Sequence, residues 1–239
     1  MTQLASSPLV GAQDIFTGST TQFHNYGEKM ETTDGRVFRY AKNSTTLLVS
    51  GNLLQAPVVI AGHQTLTPAI FAVGATSISV TMGATNASAN QYSNGYIGVN
   101  TTPGNGYLYL VAGHAAITNA VAGTINLADQ VQVAGTAASI CDLVFNPYSG
   151  VIQLPVTTKT GVCVGAALTA LAASSYGWVQ THGPAMVLSS GTFAVGSPIQ
   201  DVAVAAGSAN SAGTVAVVIG SLMKVGVDAK NVPIYLQID

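Results

Sequence analysis

The chain of 239 residues is 48 % hydrophobic but only 7 % charged, whereas an ordinary soluble domain has roughly 25 % charged residues. Its net charge of −2 gives no overall field that would attract nucleic acid or an anionic membrane surface. Low charge combined with high hydrophobicity excludes a disordered chain, and the length suits one large all-β domain or two small ones.

Neither a membrane-spanning helix nor a signal peptide is expected. A spanning helix needs ~20 consecutive apolar residues, and Gly, Thr, Ser, Asn or Pro interrupts every apolar run of this chain. The N-terminal sequence MTQLASSPLVGAQD lacks a basic region followed by a long apolar one. Cys141 and Cys163 are the only cysteines, and with no secretory context we expect two buried thiols rather than a disulfide.

The charges are segregated along the chain. No Asp, Glu, Lys or Arg occurs from Asn43 to Ala128. The residues from 28 to 42 carry seven charges, namely Glu28, Lys29, Glu31, Asp34, Arg36, Arg39 and Lys42. Because a solitary soluble protein spreads charge over its surface, the charge-free segment predicts a surface covered by neighbouring proteins. The alternative is a neutral surface rich in Thr, Ser and Asn.

Residues 1–42 are predicted to form an extended N-terminal arm that contacts a partner. They are polar, and in TTDGRVFRYAK the turn signal Asp34-Gly35 precedes a predicted strand. One small basic-aromatic stretch flanked by three acids is a weak nucleic-acid signal. Arg and aromatic side chains are enriched at the centres of protein interfaces, so we predict partner contact. The predicted contact residues are Arg36, Phe38, Arg39 and Tyr40.

The remaining sequence predicts two β units, residues 43–154 and residues 155–239. In the first, SISVTM alternates between apolar and polar residues, and GYIGVNTTPGNGYLYLVAGH predicts two strands around a loop. The second, which includes YGWVQTHGPAMVL, predicts a small barrel-like module. Turn signals recur at roughly 8 to 12 residues, as in sandwiches and barrels. The expected fold is therefore all-β, built of small sandwich or barrel modules, with under about a tenth of residues helical.

Trp178, Gln180 and His182 stand at alternate positions and would share one face of a strand. Such a face fits either a carbohydrate platform or the wall of a barrel. A sugar site normally adds carboxylates or amides, yet the next acidic residue along the chain is Asp201. We therefore predict that Trp178 is a packing residue, and that Gly183-Pro184 breaks the strand.

No motif predicts catalysis, a cofactor or a metal. The sequence lacks GxSxG, HExxH and GxxxxGK[ST] motifs. Beyond the arm the acids are scattered, at Asp129, Asp142, Asp201, Asp228 and Asp239. The four histidines are far apart and are expected to be hydrogen-bonded polar residues, namely His24, His63, His114 and His182. We therefore expect no enzymatic activity, no catalytic residue, no cofactor and no metal site.

Two stretches resemble bacteriophage sequences. YGWVQTHGPAMVL together with the later GTVAVVIGSLM resembles strands of tailed-bacteriophage virion proteins, and GEKMETTDGRVFRYAK resembles an N-terminal signature of capsid decoration, or cement, proteins. The resemblance covers the arm and roughly residues 155–225. It implies an all-β protein, commonly trimeric, that binds outside the major capsid lattice and staples neighbouring capsomers.

The expected function is therefore a structural virion protein that stabilises a bacteriophage capsid by bridging capsomers. Its expected partners are the major capsid protein and further copies of itself, as a homotrimer or a homodimer, without nucleic acid or membrane. The expected location is the capsid exterior, after synthesis in the host cytoplasm. The alternatives are an adhesive fibre or tail-spike module and, from another class, a β-fold hydrolase of cell-wall sugars, which would need a pair of carboxylates in a cleft.

Overall fold

The protein is nearly all β, with 43 % of residues in strands and 1 % in helix. The computed structural model describes residues 13–156, 158–201, 205–211 and 217–239. Within these ranges the helical content is a single 3₁₀ turn at Ala61–His63. The predicted fold class is confirmed, because frequent glycine turns and β-branched residues favour short strands over helices. No helix among the described residues is long and apolar enough to cross a membrane.

Sixteen strands lie within the described ranges and are numbered here in chain order. They are β1 (Lys29–Glu31), β2 (Val37–Asn43), β3 (Leu53–Gln55), β4 (Thr67–Pro68), β5 (Ser77–Thr81), β6 (Tyr96–Val99), β7 (Leu108–His114), β8 (Ala122–Leu127), β9 (Cys141–Val144), β10 (Ser149–Gln153), β11 (Cys163–Ala167), β12 (Tyr176–Ser189), β13 (Pro198–Gln200), β14 (Asn210–Ser211), β15 (Val218–Leu222) and β16 (Lys230–Gln237).

The chain divides into two compact units. The first comprises residues 1–58 and 147–239, and the second comprises residues 59–146. The units meet between residues 58 and 59 and between residues 146 and 147, whereas the sequence predicted boundaries after residues 42 and 154. The physical reason is long-range pairing, since β2 pairs with both β10 and β12 and so joins distant parts of the chain. Residues 1–12 of the predicted arm lie outside the described residues, whereas β1 and β2 belong to the sheet of the first unit.

The first unit contains a closed ring of five strands. Its order is β2, β10, β3, β11 and β12, and the ring closes because β12 pairs with β2 as well as with β11. Closure leaves the ring no free edge. Small and branched apolar side chains form the buried cluster associated with this ring, namely Ala41, Leu48, Leu54, Ala56, Val151, Val164, Ala167, Leu171 and Val179.

The long strand β12 extends the sheet beyond this ring. Its second half pairs with β16, and the sheet continues through β15, β13 and β14. The ladder between β12 and β16 runs without interruption from His182 to Ser189, so the predicted break at Gly183-Pro184 is wrong. Gly183 adopts a φ of +81°, which glycine tolerates, and the register with β2 shifts between Gln180 and His182. The strand therefore continues through the glycine instead of ending there.

The second unit is a six-stranded antiparallel sheet in the order β4, β5, β8, β7, β6 and β9. A bridge between Leu66, next to β4, and Cys141 of β9 joins its two ends into a barrel. Along β5, Ile78 and Val80 are buried while the serines and threonine between and beside them face outward, as the alternation predicts. Seventeen buried side chains form one core cluster inside this unit.

A close backbone approach requires glycine at position 135 of this unit. Phe71 and Gly135 exchange backbone hydrogen bonds of 3.2 and 2.9 Å, and the buried Phe71 ring lies directly over Gly135. A Cβ atom at residue 135 would overlap that ring. The glycine therefore allows the loop after β4 to pack against the loop before β9.

Candidate partner-binding surfaces

Trp178 lies inside the first unit rather than on a binding platform. Its side chain is 2 % exposed and packs in a cluster with Met30, Phe38 and Tyr40. The indole Nε1 donates a 3.2 Å hydrogen bond to the carbonyl oxygen of Gln13, and the Tyr40 ring meets the indole edge-on at 5.1 Å. The prediction that Trp178 is a packing residue is confirmed.

The four predicted contact residues divide into two buried aromatics and two surface arginines. Phe38 and Tyr40 have no exposed area, because they belong to the cluster around Trp178. Arg36 pairs with Asp34 at 2.8 Å and lies 5.6 Å from the centre of the Phe38 ring. Of the four, only the arginines therefore reach the surface. Each arginine already forms an ion pair within the chain, Arg36 with Asp34 and Arg39 with Asp239.

Arg39 joins β2 to the segment after β16 through Asp239. Its Nε and Nη2 atoms donate hydrogen bonds of 2.7 and 2.9 Å to the two carboxylate oxygens of Asp239. These bonds lower the pKa of the Asp239 carboxyl and raise the pKa of the Arg39 guanidinium. His182 completes the arrangement, with Nδ1 at 3.1 Å from the Asp239 carbonyl oxygen. This part of the surface is thus tied together within one chain.

An open recess of about 340 Å³ lies beside the same aromatic cluster. It is lined by Gln22, Phe23, His24, Asn25 and Glu28. The Nδ1 atom of His24 lies 2.9 Å from a carboxylate oxygen of Glu28, while its Nε2 atom is buried without a partner among the described residues. The Nε2 atom of His24 is therefore shielded from the solvent in the recess, and Nδ1 is the ring atom that contacts Glu28.

The other histidines are also hydrogen-bonded, as predicted. His63 Nδ1 lies 2.6 Å from the hydroxyl of Tyr92, and His114 Nε2 accepts a 3.2 Å bond from the Tyr92 amide. His182 makes the contact with Asp239 described above. Within the described ranges, no three His, Cys, Asp or Glu side chains come together as a metal site would require.

The acids of the second unit support its loops. Asp129 accepts a 2.7 Å bond from the amide of Leu110, and Asp142 accepts bonds of 2.7 and 2.6 Å from the Thr65 amide and the Asn100 side chain. The Asp129 carboxylate therefore links the segment after β8 to β7, and the Asp142 carboxylate links β9 to the segments before β4 and after β6.

Exposed apolar side chains cover one side of the sheet formed by β12, β16, β15 and β13. Across this sheet Pro184 lies opposite Tyr235, and Met186 lies opposite Pro233. The amide of Met223, directly after β15, donates to the carbonyl oxygen of Pro233. We refer to this surface as the methionine–proline face. It consists of Pro184, Met186, Pro198, Met223, Pro233 and Tyr235.

The methionine–proline face is open to solvent. Met186 is 54 % exposed, Met223 is 48 % exposed and Tyr235 is 37 % exposed. Methionine adapts its shape to a partner, and tyrosine combines an apolar ring with a hydroxyl, so both suit protein contacts. No signal in the local sequence marked these residues, because they come from separate strands that only the long-range ladder aligns.

A second apolar face lies on the outside of the barrel of the second unit. Tyr96 of β6 lies opposite Leu110 of β7 on one side and Val144 of β9 on the other. Leu108, which precedes Leu110 on the same side of β7, is 58 % exposed, and Val144 is 42 % exposed. We refer to Tyr96, Leu108, Leu110 and Val144 as the leucine–valine face.

No protein-family model matches the chain, and neither a curated protein nor a solved structure matches it. The two apolar faces are the surface features of the described residues that bear most directly on function. What they offer chemically is shape and apolar area for another surface, with a tyrosine hydroxyl in each.

Proposed function

We propose that the protein is a structural component of a tailed-bacteriophage virion that binds the outside of the capsid lattice and bridges neighbouring capsomers. The observation that carries this proposal is the extent of exposed apolar surface on a chain with very few charges. Ile70 is 80 % exposed and Val73 is 65 % exposed, in addition to the two faces described above. Such surface is a solubility liability for a solitary protein and is explained by neighbours that cover it.

Two compact units, each with its own apolar face, suit a bridging role. A chain that contacts two neighbours at once gains affinity from both, even where each contact alone is weak. The resemblance of YGWVQTHGPAMVL and GEKMETTDGRVFRYAK to phage virion sequences supplies the identity of the partner, the major capsid protein. The residues Arg36 and Arg39 remain predicted contacts, through the outer parts of their guanidinium groups.

The two thiols and several carboxylates of the chain are buried or hydrogen-bonded within the fold, which supports a non-enzymatic role. Burial raises the pKa of the Cys141 thiol and of the Cys163 thiol to about 12, so both stay protonated at neutral pH. The carboxylates of Asp129, Asp142 and Asp239 are engaged in structural hydrogen bonds. These groups hold the fold together and leave little for chemistry on a substrate.

Counting copies in purified virions tests the proposal. Heads and tails of the phage that encodes the chain would be separated on a density gradient, and peptides of this protein quantified against those of the major capsid protein. We expect the protein in the head fraction, at a fixed ratio comparable with the capsid protein. Its absence from virions would refute the proposal, and a low copy number confined to tails would favour the fibre or tail-spike alternative.

A further inference from the structure

We infer that the open recess beside the aromatic cluster is a binding site for the ring of a neutral hexose sugar. The recess is lined by residues of the segment that precedes β1, namely Gln22, Phe23, His24, Asn25 and Glu28. None of these residues belongs to either apolar face, and the inference does not depend on the proposed capsid partner.

The segment that forms the recess is fixed to β2 and to the aromatic cluster. The hydroxyl of Tyr40 accepts a 3.1 Å hydrogen bond from the Phe23 amide, and the Tyr40 amide donates a 3.0 Å bond to the Glu28 carbonyl oxygen. The centre of the His24 ring lies 5.0 Å from the ring centres of both Tyr40 and Trp178. A site held this firmly needs little reordering when a ligand binds, which favours affinity.

The carboxylate of Glu28 is oriented within the recess by two contacts. One oxygen lies 2.9 Å from Nδ1 of His24, and the other accepts a 3.2 Å bond from the Asn25 amide. The His24 side chain is only 5 % exposed, whereas the Glu28 side chain is 44 % exposed. Because a carboxylate oxygen can accept more than one hydrogen bond, Glu28 can still accept bonds from the hydroxyls of a ligand.

Two side-chain amides add both donors and acceptors. The side-chain amide of Asn25 makes no hydrogen bond with another described residue. Gln22 uses one amide hydrogen, in a 2.8 Å bond from Nε2 to the His24 carbonyl oxygen, and keeps its other hydrogen and its Oε1 atom. A sugar hydroxyl donates and accepts, so neighbouring hydroxyls of one ring can pair with an amide that offers both functions.

Phe23 supplies an aromatic surface at the same place. Its side chain is 49 % exposed, although its backbone amide is bound to Tyr40. The hydrogens on the carbon atoms of a pyranose ring form an apolar face that packs flat against an aromatic ring. Residues 22–28 therefore combine an aromatic ring, two amides and a carboxylate, which together match the apolar face and the hydroxyls of a sugar.

The same lining disfavours other small ligands. Among the described residues, no Lys or Arg lines the recess, so a phosphate or an acidic sugar would meet the Glu28 carboxylate without a cation to offset it. A purely apolar ligand would leave the amides and the carboxylate without hydrogen bonds. The volume of about 340 Å³ lies at the lower end of the range for small-molecule sites, roughly 300 to 1,000 Å³, and suits a single ring.

A single sugar ring held by few contacts binds weakly, with a Kd on the order of 1 mM for a ligand of this size. Many copies of the site on one particle would combine such weak contacts into firm attachment to a surface coated with glycans. This consequence rests on the proposed function, whereas the binding of the sugar to a single chain does not.

Saturation-transfer difference NMR on the purified full chain tests the inference. The probes are the methyl glycosides of glucose, galactose and mannose, with glucuronate as the acidic comparison and ethanolamine as the cationic one. We expect at least one of the three methyl glycosides to bind with a Kd on the order of 1 mM, and glucuronate and ethanolamine to bind about tenfold more weakly.

Two variants locate the binding in the recess. Phe23→Ala and Asn25→Ala should each weaken the binding of the methyl glycoside about tenfold, as for loss of one aromatic contact or one hydrogen-bonding group. The matched controls are Phe16→Ala, at a phenylalanine that is 57 % exposed, and Asn119→Ala, at an exposed asparagine of the second unit. Neither control residue lines the recess, so both variants should bind as the wild type does.

Circular dichroism verifies that each variant is folded. If Phe23→Ala does not fold, Phe23→Leu serves instead, because leucine keeps the apolar bulk and removes the aromatic face, and it should also lose binding. The inference is overturned if none of the methyl glycosides binds, if ethanolamine or glucuronate binds more tightly than they do, or if the recess variants bind as well as the controls. None of these results changes the copy number in virions, so the two proposals fail separately.

Discussion

Replacing Trp178 by alanine should strongly destabilise the first unit. The indole is almost fully buried against Met30, Phe38 and Tyr40, and its Nε1 atom bonds to the Gln13 carbonyl. A buried aromatic side chain removes about 150 to 250 Å² from water, which at ~25 cal/mol/Å² corresponds to ~4 to 6 kcal/mol. That value agrees with the loss of about 3 to 5 kcal/mol seen when a buried Trp becomes Ala.

The assay must follow unfolding by far-ultraviolet circular dichroism, because the substitution removes the only tryptophan. For a protein of this size, each kcal/mol lowers the melting temperature by roughly 2 to 4 °C, so a decrease of about 6 to 20 °C is expected. Val162→Ala is the matched control in the same unit, since its side chain is 64 % exposed and lies outside both apolar faces, and it should change stability by less than about 0.5 kcal/mol.

The reasoning fails if Trp178→Ala melts at the wild-type temperature. A surface sugar platform would give that result, together with a saturable change in the wild-type tryptophan fluorescence when host polysaccharide is added. Both observations together would place the indole in a ligand site and favour the adhesive alternative.

Two further substitutions test the electrostatic and packing arguments. Arg39 lowers the pKa of the Asp239 carboxyl in the folded state, so this pair contributes stability above the unfolded pKa and loses it as the pH falls through the folded pKa. Asp239→Asn should therefore cost about 0.2 to 1 kcal/mol at neutral pH and make the stability fall less steeply as the pH is lowered. An Asp239→Asn variant whose stability falls with acid as steeply as that of the wild type would contradict the argument. Gly135→Ala should destabilise the second unit by about 1 to 3 kcal/mol in urea titrations, because a phenylalanine ring occupies the space of the new methyl group. Gly98→Ala, where only a flexible leucine methyl lies near, is its control, and equal urea midpoints for the two alanine variants would show that the ring can move aside.

The local sequence was sufficient for the fold class and for several burial assignments. Alternation in SISVTM places Ile78 and Val80 inside, and the turn signals predict short strands without long helices. These features depend on a few neighbouring residues, because side-chain direction alternates along any strand and glycine or proline restricts the local backbone. The burial of Trp178 follows from the same kind of argument.

Local alternation could not show which side of a strand faces the core where both sides carry apolar or aromatic residues. In GYLYLV the tyrosines and leucines occupy opposite sides, yet the structure buries Tyr109 and exposes Leu108 at the surface. The hydroxyl of Tyr109 accepts a bond from the Gln132 amide, which allows its ring to be buried. The leucine–valine face exists because Leu108 points outward while Tyr109 points into the core. Hydrophobicity alone would have predicted a buried leucine and an exposed tyrosine.

Only the tertiary structure decided which strands pair and therefore where the surfaces lie. The stretch Arg36 to Tyr40 suggested a partner contact from its composition, but pairing of β2 with β12 places Phe38 and Tyr40 against Trp178 in the chain's own core. The methionine–proline face likewise brings together residues from separate strands. Pairing between distant strands depends on the total free energy of closing each ring and filling its core, a quantity that no short stretch of sequence contains.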